Sequence, residues 1–317
     1  MNAHTIDRAS GGHPQWGHQK DTPSPIIKAM LTTSQEATQA VMKAMSAEEL
    51  ARSLRARGIK TKKHNDYHWK QTAPGFYEPL HWMARLSSHQ ATRPSALSWG
   101  FRASVNDNDQ IQANGAVPLY TLPGLKNYEE KNLSSNRRNR LRRCRKQVQI
   151  SQITDAGILR NHGYSILSSA TKRTGHASLV SEQSYLTEIN LLEDELSRQS
   201  KFILGGWIDG KLGGYITGFA CDGVAYLDET VIATEAMPSC IGIGLLFEFI
   251  QACRWSEDVL ILVNGLHSRE DSELHSFKQS FGFRVERIPA IVQINPIARK
   301  IIKKRFPDKY YRLTGVE

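Results

Sequence analysis

Residues Phe202–Ala233 have the sequence FILGGWIDGKLGGYITGFACDGVAYLDETVIA, which carries the strongest fold signal in the chain. Three runs typical of strands are separated there by the dipeptides Asp209–Gly210 and Asp222–Gly223. An Asp-Gly pair between two such runs favours a tight hairpin, because both turn positions require positive φ. The sequence therefore predicts a three-stranded antiparallel meander.

The residues after the meander predict helices that alternate with strands. In Ser239–Trp255, SCIGIGLLFEFIQACRW, apolar residues recur at helical spacing, which indicates an amphipathic helix packed on the sheet. The later segments are predicted as the buried strand Val259–Val263, the helix Asp271–Ser280 ending at Gly282–Phe283, the strand Glu286–Ile294 and the basic helix Pro296–Arg305. Because a helix crosses over into the buried strand, we expect a mixed sheet over Phe202–Ile294, first antiparallel and then splayed.

The residues before the meander carry weaker patterns. Thr33–Arg57 predicts a helix, with a second helix start at Ser46, and Leu80–Leu86 predicts a short helix or strand. Ala116–Leu122, AVPLYTL, predicts an edge strand, because proline lacks the N–H that an interior strand donates. The remaining segments are predicted as a helix from Tyr128 to Gln147, the strand Val148–Thr154 and the helices Leu159–Lys172 and Glu182–Gln199.

Composition narrows the class of protein. A chain of 317 residues with 40% apolar residues can form two domains of about 150 residues or one larger domain. No apolar run approaches the ~20 residues of a membrane span, and the N-terminus lacks the apolar core of a secretory signal. The four cysteines form no CxxC pair, so we expect neither metal nor disulfides, and Cys221 and Cys253 read as core residues. We expect a cytoplasmic protein whose residues 1–30 form a disordered leader.

The positive charge is concentrated in one segment. The net charge is +10, and seven of the ten residues in Arg137–Lys146 are basic. Such a run can bind nucleic acid, an anionic membrane surface or a phosphate-bearing ligand, and it can also be a solvated helix face. Leu141 and Cys144 are available to bury on one side of this helix. Helical spacing places three cations together on another side: Arg138, Arg142 and Arg145.

The order of elements after residue 200 resembles the GNAT superfamily of acyltransferases. In that family an acyl-CoA binds between a glycine-rich turn and splayed central strands, and the turn has Arg or Gln, two residues, Gly, any residue, then Gly or Ala. Here Gly242 and Gly244 match the glycines, Ile243 lies between them, and Ser239 replaces the Arg or Gln. The resemblance implies that these four residues bind an acyl-CoA such as acetyl-CoA. Backbone N–H groups at a helix N-terminus attract phosphate, although tight helix packing also requires glycine.

A second resemblance lies in Leu274–Phe283, LHSFKQSFGF. Phe277 and Gly282–Phe283 fit the GNAT pattern, but Lys278 replaces the family's tyrosine acid. The FK…FG helix end is similar to Fem-type aminoacyltransferases, which build peptidoglycan cross-bridges from aminoacyl-tRNA on tandem GNAT folds. The segment LSSNRRNRLRRCRK resembles the basic helix that opens their second half. The two glycines favour a CoA thioester as donor, whereas Lys278 and the basic helix favour aminoacyl-tRNA.

These resemblances imply an α/β (α+β) architecture. We expect a GNAT-like, mixed and partly splayed sheet flanked by helices over residues 131–317, ending in a basic helix. A helical and reduced GNAT-like region is expected to precede it over residues 31–130.

Transfer to an amine requires a base and a group that holds the reacting carbonyl. Asp228 and Glu229 lie in the third strand of the meander, and strand alternation places only one of them in the cleft. We expect Glu229 to be the base, with an exposed carboxylate as the alternative. His267, at the carboxyl end of the buried strand, is a candidate base or acceptor-binding group, although a surface histidine explains it equally. Lys278 is a candidate ligand for a phosphate or carboxylate, as are Arg138, Arg142 and Arg145 for the donor.

The sequence thus predicts an N-acyltransferase that moves an acyl group from acyl-CoA to an amine of a small molecule, sugar or peptide. The first alternative is aminoacyl transfer from tRNA by a Fem-like enzyme. The second is a non-catalytic protein that binds nucleic acid or a membrane surface peripherally, without a transmembrane segment, on a GNAT-like fold.

Overall fold

The computed structural model describes residues 40–175 and 180–316. The expected leader over residues 1–30, and the first part of the helix predicted over Thr33–Arg57, lie outside the described residues. None of the helices in the described ranges has the length and hydropathy that a bilayer crossing requires.

The strands and helices are numbered separately along the chain. The strands are β1 Ala44–Met45, β2 Thr61–His64, β3 Tyr67–Ala73, β4 Phe76–Pro79, β5 Gly100–Ser104, β6 Gly115–Leu122, β7 Gln149–Gln152, β8 Phe202–Ile208, β9 Lys211–Cys221, β10 Val224–Ile232, β11 Ile261–Leu266 and β12 Arg284–Ile294. The α-helices are α1 Ala47–Ala56, α2 Ser135–Gln147, α3 Ala156–Thr174, α4 Glu182–Ser197, α5 Ile241–Trp255, α6 Ser272–Gln279, α7 Pro296–Arg305 and α8 Pro307–Thr314.

All the strands belong to one sheet. Its order is β2-β3-β4-β5-β12-β6-β11-β10-β9-β8-β7, and β1 pairs in parallel with the end of β9. β6, from the N-terminal region, lies between β11 and β12 of the C-terminal region. The two regions therefore share one continuous sheet, and the division near residue 130 stays a prediction about sequence segments.

The central position of β6 corrects the prediction of an edge strand. The Pro118 carbonyl accepts a hydrogen bond from the His267 N–H at 2.9 Å, so the amide edge of Pro118 faces the end of β11. The register between β6 and β11 shifts between Val263 and Leu266, opposite this part of β6. An interior strand tolerates proline here because the missing N–H falls where β11 is irregular.

Two other local predictions were wrong. In the described part of Thr33–Arg57, the helix begins only at Ala47, and residues 44–45 form the short strand β1. The start predicted at Ser46 is confirmed, because Ser46 and Glu49 form a reciprocal capping box. Leu80–Leu86 is neither helix nor strand apart from one bridge between Leu86 and Val105, since its polar groups bond to distant parts of the chain.

The predicted meander and splay are confirmed. β8, β9 and β10 are consecutive antiparallel strands, and the residues of both Asp-Gly turns have positive φ. β10 then pairs in parallel with β11. Cys221 and Cys253 are fully buried, as the sequence predicted.

Helices cover both faces of the C-terminal half of the sheet. Tyr185 of α4 is hydrogen-bonded to Tyr215 of β9. On the same strand, a Cβ at Gly218 would lie 2.4 Å from Phe249 of α5. Because positions three apart on a strand face opposite sides, α4 and α5 lie on opposite faces. α2 packs on α5 and so belongs to the second face.

Candidate active site

The candidate site is a slot in the sheet where β10 and β11 separate. The two strands pair only over Val224–Tyr226 and Ile261–Val263. A bulge between Leu227 and Glu229 then turns β10 away, and the strand continues to Ile232 with β9 as its one partner among the described strands. The β10 edge that faces the slot therefore presents backbone groups that no strand satisfies, and these can bind an acyl carbonyl or an extended ligand.

Glu229 lies on the face of β10 that is covered by α3 and α4. It is opposite Thr217 in the register and lines a cavity of about 440 Å³ with Tyr185 and Tyr215, which we name the Glu229 cavity. Among the described residues its carboxylate has no hydrogen-bond or ion-pair partner. The surrounding protein, together with the neighbouring Asp228, raises the pKa of Glu229 above that of an ordinary carboxyl group. A carboxylate in this state can accept a proton from an ammonium group.

Asp228 also reaches the Glu229 cavity, although strand alternation predicted that only one of the pair would do so. The bulge is the reason, because it inserts one residue and brings two consecutive side chains to the same wall. Asp228 forms an ion pair with Lys201, whose ammonium lies 5.9 Å from the Phe219 ring centroid. Asp228 is therefore engaged, whereas Glu229 is free to act as a base.

A second cavity of about 340 Å³ adjoins the first, and we name it the Lys70 cavity. Both cavities share Arg57, Lys201 and Asp228 in their walls, and the second one extends to Gly265 on the far side of the slot. The rest of its wall is largely apolar and includes Leu50, Leu54, Ile59, Leu80, Trp82, Phe219 and Tyr226.

The cations of the Lys70 cavity differ in how they are paired. Arg57 is bidentate on Glu195, at 2.8 and 2.6 Å, and binds Glu188 at 2.7 Å. Within the described chain, Lys70 has no acidic side chain at ion-pair distance, and burial lowers its pKa. An ammonium group in this position attracts an anion. The sequence analysis did not identify Lys70, because no motif or spacing of neighbouring residues distinguishes it from other lysines.

His81 links the N-terminal region to the meander. Its ring nitrogens lie 2.8 Å from the Tyr226 hydroxyl and 2.9 Å from an Asp222 carboxylate oxygen. The hydrogen bond to His81 lowers the pKa of Asp222. In the described residues, the ligand atoms of His81, Cys221 and Asp222 lie within 4.8 Å of one another. Because the histidine and the carboxylate already satisfy each other, this cluster acts as a structural link.

Lys278 lies beside Gly265 of β11, on the face of the sheet opposite Glu229, and lines neither the Glu229 cavity nor the Lys70 cavity. Its Nζ donates to the Asn264 carbonyl at 2.6 Å and lies 4.3 Å from the Tyr120 ring centroid. A Cβ on Gly265 of β11 would be 3.7 Å from this Nζ. Burial lowers the pKa of Lys278 to about 8, and no described acidic side chain forms an ion pair with it. The strands that border the slot thus carry, on opposite faces of the sheet, an ammonium beside β11 and a carboxylate on β10, neither with an ionic partner among the described residues.

His267 lies at the end of β11, as expected, but faces α8. Its Nδ1 is 2.8 Å from the Tyr311 hydroxyl, and its ring packs edge-on against Tyr120. Burial and the neighbouring His275 lower the pKa of His267. It does not line the Glu229 or the Lys70 cavity, so a role as base stays a prediction that the geometry does not favour.

The glycine-rich turn before α5 is tightly packed. A Cβ on Gly242 would lie 2.6 Å from Ile232, and one on Gly244 would lie 2.4 Å from the Cys144 sulfur of α2. Gly244 is therefore needed for packing, whatever the turn binds, whereas a side chain at Gly242 would displace only the end of the flexible Ile232 side chain. Ile243 is buried, as is Ser239.

The backbone at this turn is nevertheless suited to an anion. Cys240 precedes α5 with a φ of +62°, an uncommon left-handed conformation for a residue with a side chain. Within the described chain no side chain caps α5, and the Ser239 hydroxyl instead donates to Ala236 at 2.7 Å. The N–H groups of the first turn of α5 thus lack a side-chain acceptor.

The apolar side of the basic helix α2 packs against the protein, as the sequence predicted. Ser134 is its N-cap, and Leu141 and Cys144 are buried. The three arginines of the predicted cationic face bond to other groups of the protein. Arg138 donates to the Leu133 carbonyl at 2.6 Å. The other two cations pair with carboxylates, Arg142 with Glu130 and Arg145 with Glu130 and Glu248.

Unpaired positive charge lies elsewhere on α2. Arg137 donates to the Ser280 hydroxyl at 2.8 Å, and its guanidinium lies 5.0 Å from the Phe277 ring centroid. Burial lowers the pKa of Arg137, which lies near Cys240 at the start of α5. Arg137, Arg140 and Arg143 have no acidic partner among the described residues. Spacing within a run of cations cannot reveal which of them find partners on other elements.

Comparison with known proteins identifies the fold. A scan against protein-family models finds no match, and a search of curated proteins finds none either. FemX superposes with a TM-score of 0.58 at 9% identity, covering 84% of this chain and 96% of FemX. The chain has a double-GNAT fold of the Fem-like type. The same fold occurs in a lysylphosphatidylglycerol synthetase C-terminal domain from Agrobacterium fabrum, with a TM-score of 0.57, 13% identity, and 88% and 95% coverage of the two chains.

A third protein with the double-GNAT fold is L-PGS from Bacillus licheniformis. It superposes with a TM-score of 0.53 at 12% identity, covering 85% of this chain and 97% of L-PGS. In each case almost the whole of the other chain is covered, so the double-GNAT fold extends over both regions of this protein.

Proposed function

We propose that the protein is an acyltransferase that moves an activated acyl group onto an amine in the slot between β10 and β11. The observation that carries this proposal is the pair of unpaired charges on opposite faces of the slot, the Glu229 carboxylate and the Lys278 ammonium. Acyl transfer needs a base for the amine and a positive group for the developing oxyanion, and the slot offers one of each.

Glu229 takes the proton that the attacking amine must lose. The amine nitrogen attacks the acyl carbon, the carbonyl π electrons move to oxygen, and a tetrahedral intermediate forms. The intermediate collapses as the bond to the leaving oxygen or sulfur breaks, and the proton that Glu229 took from the amine passes to that leaving group, which restores the carboxylate. The raised pKa of Glu229 suits this role, because a more basic carboxylate accepts a proton more readily.

Lys278 stabilises the oxyanion of the tetrahedral intermediate. Its Nζ donates to the Asn264 carbonyl, which holds the group at the edge of the slot, and an ammonium has further N–H donors for a substrate oxygen. A buried positive charge without a carboxylate partner interacts strongly with negative charge that develops nearby. In this proposal Lys278 acts in its protonated form.

The donor that we propose is an aminoacyl-tRNA. Arg137, Arg140 and Arg143 provide three cations without acidic partners among the described residues, a set that suits a chain of phosphates. The glycines of the turn before α5 face Ile232 and Cys144, so they do not by themselves indicate a CoA site. The name of one structural neighbour, lysylphosphatidylglycerol synthetase, also denotes an aminoacyl product.

An acyl-CoA is the second candidate donor, and one observation favours it. The N-terminus of α5 has no side-chain cap within the described residues, and Arg137 lies close to it. A single diphosphate fits this combination of backbone N–H groups and one guanidinium. Both donors occur in the cytoplasm, and the cytoplasmic location stays a prediction.

The acceptor is proposed to reach Glu229 through the Lys70 cavity. This cavity adjoins the Glu229 cavity and extends to Gly265 beside the slot. Its wall is largely apolar, with three cations, two carboxylates, His81 and two serines, and Lys70 has no ionic partner in the described chain. An amine that also carries an acidic group satisfies Lys70 while its nitrogen lies at Glu229.

A labelling experiment tests the reaction and the donor together. The protein is incubated with a mixture of amino sugars and lysine-containing peptides, and with either tRNA charged with radiolabelled amino acids or labelled acetyl-CoA. Amide products survive mild alkali, whereas the tRNA ester does not, so alkali-stable label measures transfer. Label from charged tRNA supports the proposal, and label from acetyl-CoA alone selects the second donor.

Two variants control the labelling experiment. Glu229→Gln and Lys278→Met should each abolish most of the transfer while the folded protein still binds the donor. If neither donor yields alkali-stable label but charged tRNA is retained by the protein, the molecule is a binding protein on a double-GNAT fold and the enzymatic proposal is wrong.

A further inference from the structure

Helix α7, Pro296–Arg305, differs from the other α-helices in the described chain because it has no buried residue. Its sequence, PIARKIIKKR, contains five cations and no acidic residue. An amphipathic helix of a globular protein normally buries its apolar side against the core. The isoleucines of α7 that remain in solvent therefore require an explanation.

The contacts of α7 define which side faces outward. Arg299 donates to the Tyr310 hydroxyl at 3.0 Å, and Lys303 lies 5.6 Å from the Tyr310 ring centroid, so this side packs on α8. At 100° per residue, Ile297 and Ile301 lie on the other side. They are 72% and 49% exposed, respectively.

The outward side is also strongly positive. Lys300 and Lys304 flank the two isoleucines at helical spacing, and Arg305 follows at the end of the helix. None of these three cations has an acidic partner at ion-pair distance among the described residues. Nearby cations do have partners, because Arg269 pairs with Asp308 and Arg312 pairs with Glu270. The positive charge of Lys300, Lys304 and Arg305 is thus not neutralised by any described residue.

A second exposed apolar residue lies next to the start of α7. Asn295, the N-cap of α7, donates its N–H to the Trp99 carbonyl at 2.7 Å. Two residues before Trp99, Leu97 is 95% exposed. The apolar character of this surface therefore extends from the helix to a loop of the N-terminal region.

We propose that Leu97, Ile297 and Ile301, with Lys300, Lys304 and Arg305, form a surface that binds anionic lipid bilayers peripherally. Exposed apolar side chains enter the boundary between headgroups and acyl chains, while flanking lysines and arginines reach the anionic headgroups. The sequence pointed to the basic run in α2 for such contact, but α7 combines the charge with exposed isoleucines. This surface does not depend on the proposed reaction.

A nucleic acid is a poorer match for the same surface. The phosphates of a nucleic acid can neutralise the cations of α7, but they leave the isoleucines exposed to water. An anionic bilayer neutralises the cations and also buries the isoleucines. The surface also lies close to the slot, since α7 packs on α8 and Tyr311 of α8 bonds to His267 at the end of β11. Membrane binding through α7 therefore places the slot near the lipid surface.

Flotation of the full-length protein with vesicles tests the inference. Vesicles of phosphatidylcholine with 30% phosphatidylglycerol should carry the protein upward in a density gradient, and vesicles of phosphatidylcholine alone should not. Ile297→Glu/Ile301→Glu should lower the partition coefficient at least ~10-fold. Lys300→Gln/Lys304→Gln/Arg305→Gln should lower it by up to ~100-fold, from about 1 kcal/mol for each cation.

Matched variants test whether flotation depends on this particular surface or only on the overall charge and hydropathy of the protein. Leu260→Glu changes another exposed apolar residue, 67% exposed, and should leave flotation unchanged. Arg138→Gln/Arg142→Gln/Arg145→Gln removes the same net charge from α2 and should do likewise. The proposal is overturned if the α2 and α7 charge variants lose flotation equally. It is also overturned if the isoleucine variant floats as well as the wild type, provided that circular dichroism shows the variants to be folded. Charge-dependent binding of RNA without any flotation also overturns it and assigns α7 to nucleic acid.

Discussion

Replacing Lys278 with methionine should make the protein more stable and less active. In the wild type the ammonium is buried at the slot, donates to the Asn264 carbonyl and has no carboxylate partner among the described residues. Burial of an unpaired charge destabilises the folded state, and a methionine of similar length removes that charge. If Lys278 stabilises the oxyanion, the same change should lower the transfer rate by roughly 10² to 10³.

The size of the stability effect follows from the pKa of Lys278. Burial lowers this pKa from 10.5 to about 8. One unit of pKa corresponds to about 1.36 kcal/mol, so the lowered pKa destabilises the folded state by about 3 kcal/mol at neutral pH. At this pH Lys278 is protonated in both the folded and the unfolded chain. Loss of the hydrogen bond to Asn264 costs about 1 kcal/mol. Lys278→Met should therefore raise the free energy of unfolding by about 2 kcal/mol at pH 7.

The sign of the pH dependence makes this prediction specific. Between pH 8 and 10.5 the unfolded chain binds more protons at Lys278 than the folded chain, so the stability of the wild type rises with pH over this window. The advantage of Lys278→Met should accordingly fall by about 2 kcal/mol between pH 7 and about pH 9.5.

Urea unfolding of both proteins at these two pH values measures the difference, with the slopes checked for equality. Lys201→Met is the matched control, because Lys201 is paired with Asp228 and should give no gain in stability at pH 7. A Lys278→Met variant that is less stable than the wild type at pH 7, by the same amount at both pH values, would mean that the buried ammonium does not destabilise the fold.

Three further predictions concern the slot, α2 and the packing of α5. Glu229→Gln should lower kcat/KM at least ~100-fold and remove the acidic limb of the pH–rate profile. In the wild type this limb should lie above the ordinary carboxyl range, because desolvation by the surrounding protein and the neighbouring Asp228 raise the pKa of Glu229. Filter binding of charged tRNA at several salt concentrations will measure the slope of log K against log salt. Arg137→Gln/Arg140→Gln/Arg143→Gln should reduce the magnitude of this slope by about 2.7. The matched variant Arg138→Gln/Arg142→Gln/Arg145→Gln should reduce it less. Gly244→Val should lower the free energy of unfolding by about 1–3 kcal/mol, measured with urea, because its Cβ falls 2.4 Å from the Cys144 sulfur and α2 must move.

The C-terminal part of the fold could be predicted because its signals are local. Each Asp-Gly turn depends on two adjacent residues with positive φ, and the apolar stripe of α5 depends on spacings of three and four residues. The position of Glu229 on the third strand of the meander followed from the same local pattern. The bulge beside it did not, since it arises where β10 leaves β11.

The rest of the site depends on contacts between distant parts of the chain. His81 meets Asp222 and Tyr226 across 141 and 145 residues, and Lys278 meets the Asn264 carbonyl only after α6 folds back on β11. Which arginines of α2 remain unpaired depends on carboxylates that other elements supply, such as Glu248 of α5.

The meander, the crossover helix, the basic segment and the candidate residues could all be predicted from the sequence, because turns and helices depend on neighbours within a few positions. Long-range packing, by contrast, makes β6 a central strand and puts Glu229 and Lys278 on opposite faces of the sheet, each without an ionic partner among the described residues. It also leaves α7 without a buried residue in the described chain. Strand order and the pairing of charges are set by contacts between separate elements, some of them more than a hundred positions apart, such as His81 and Asp222, and no short pattern records them.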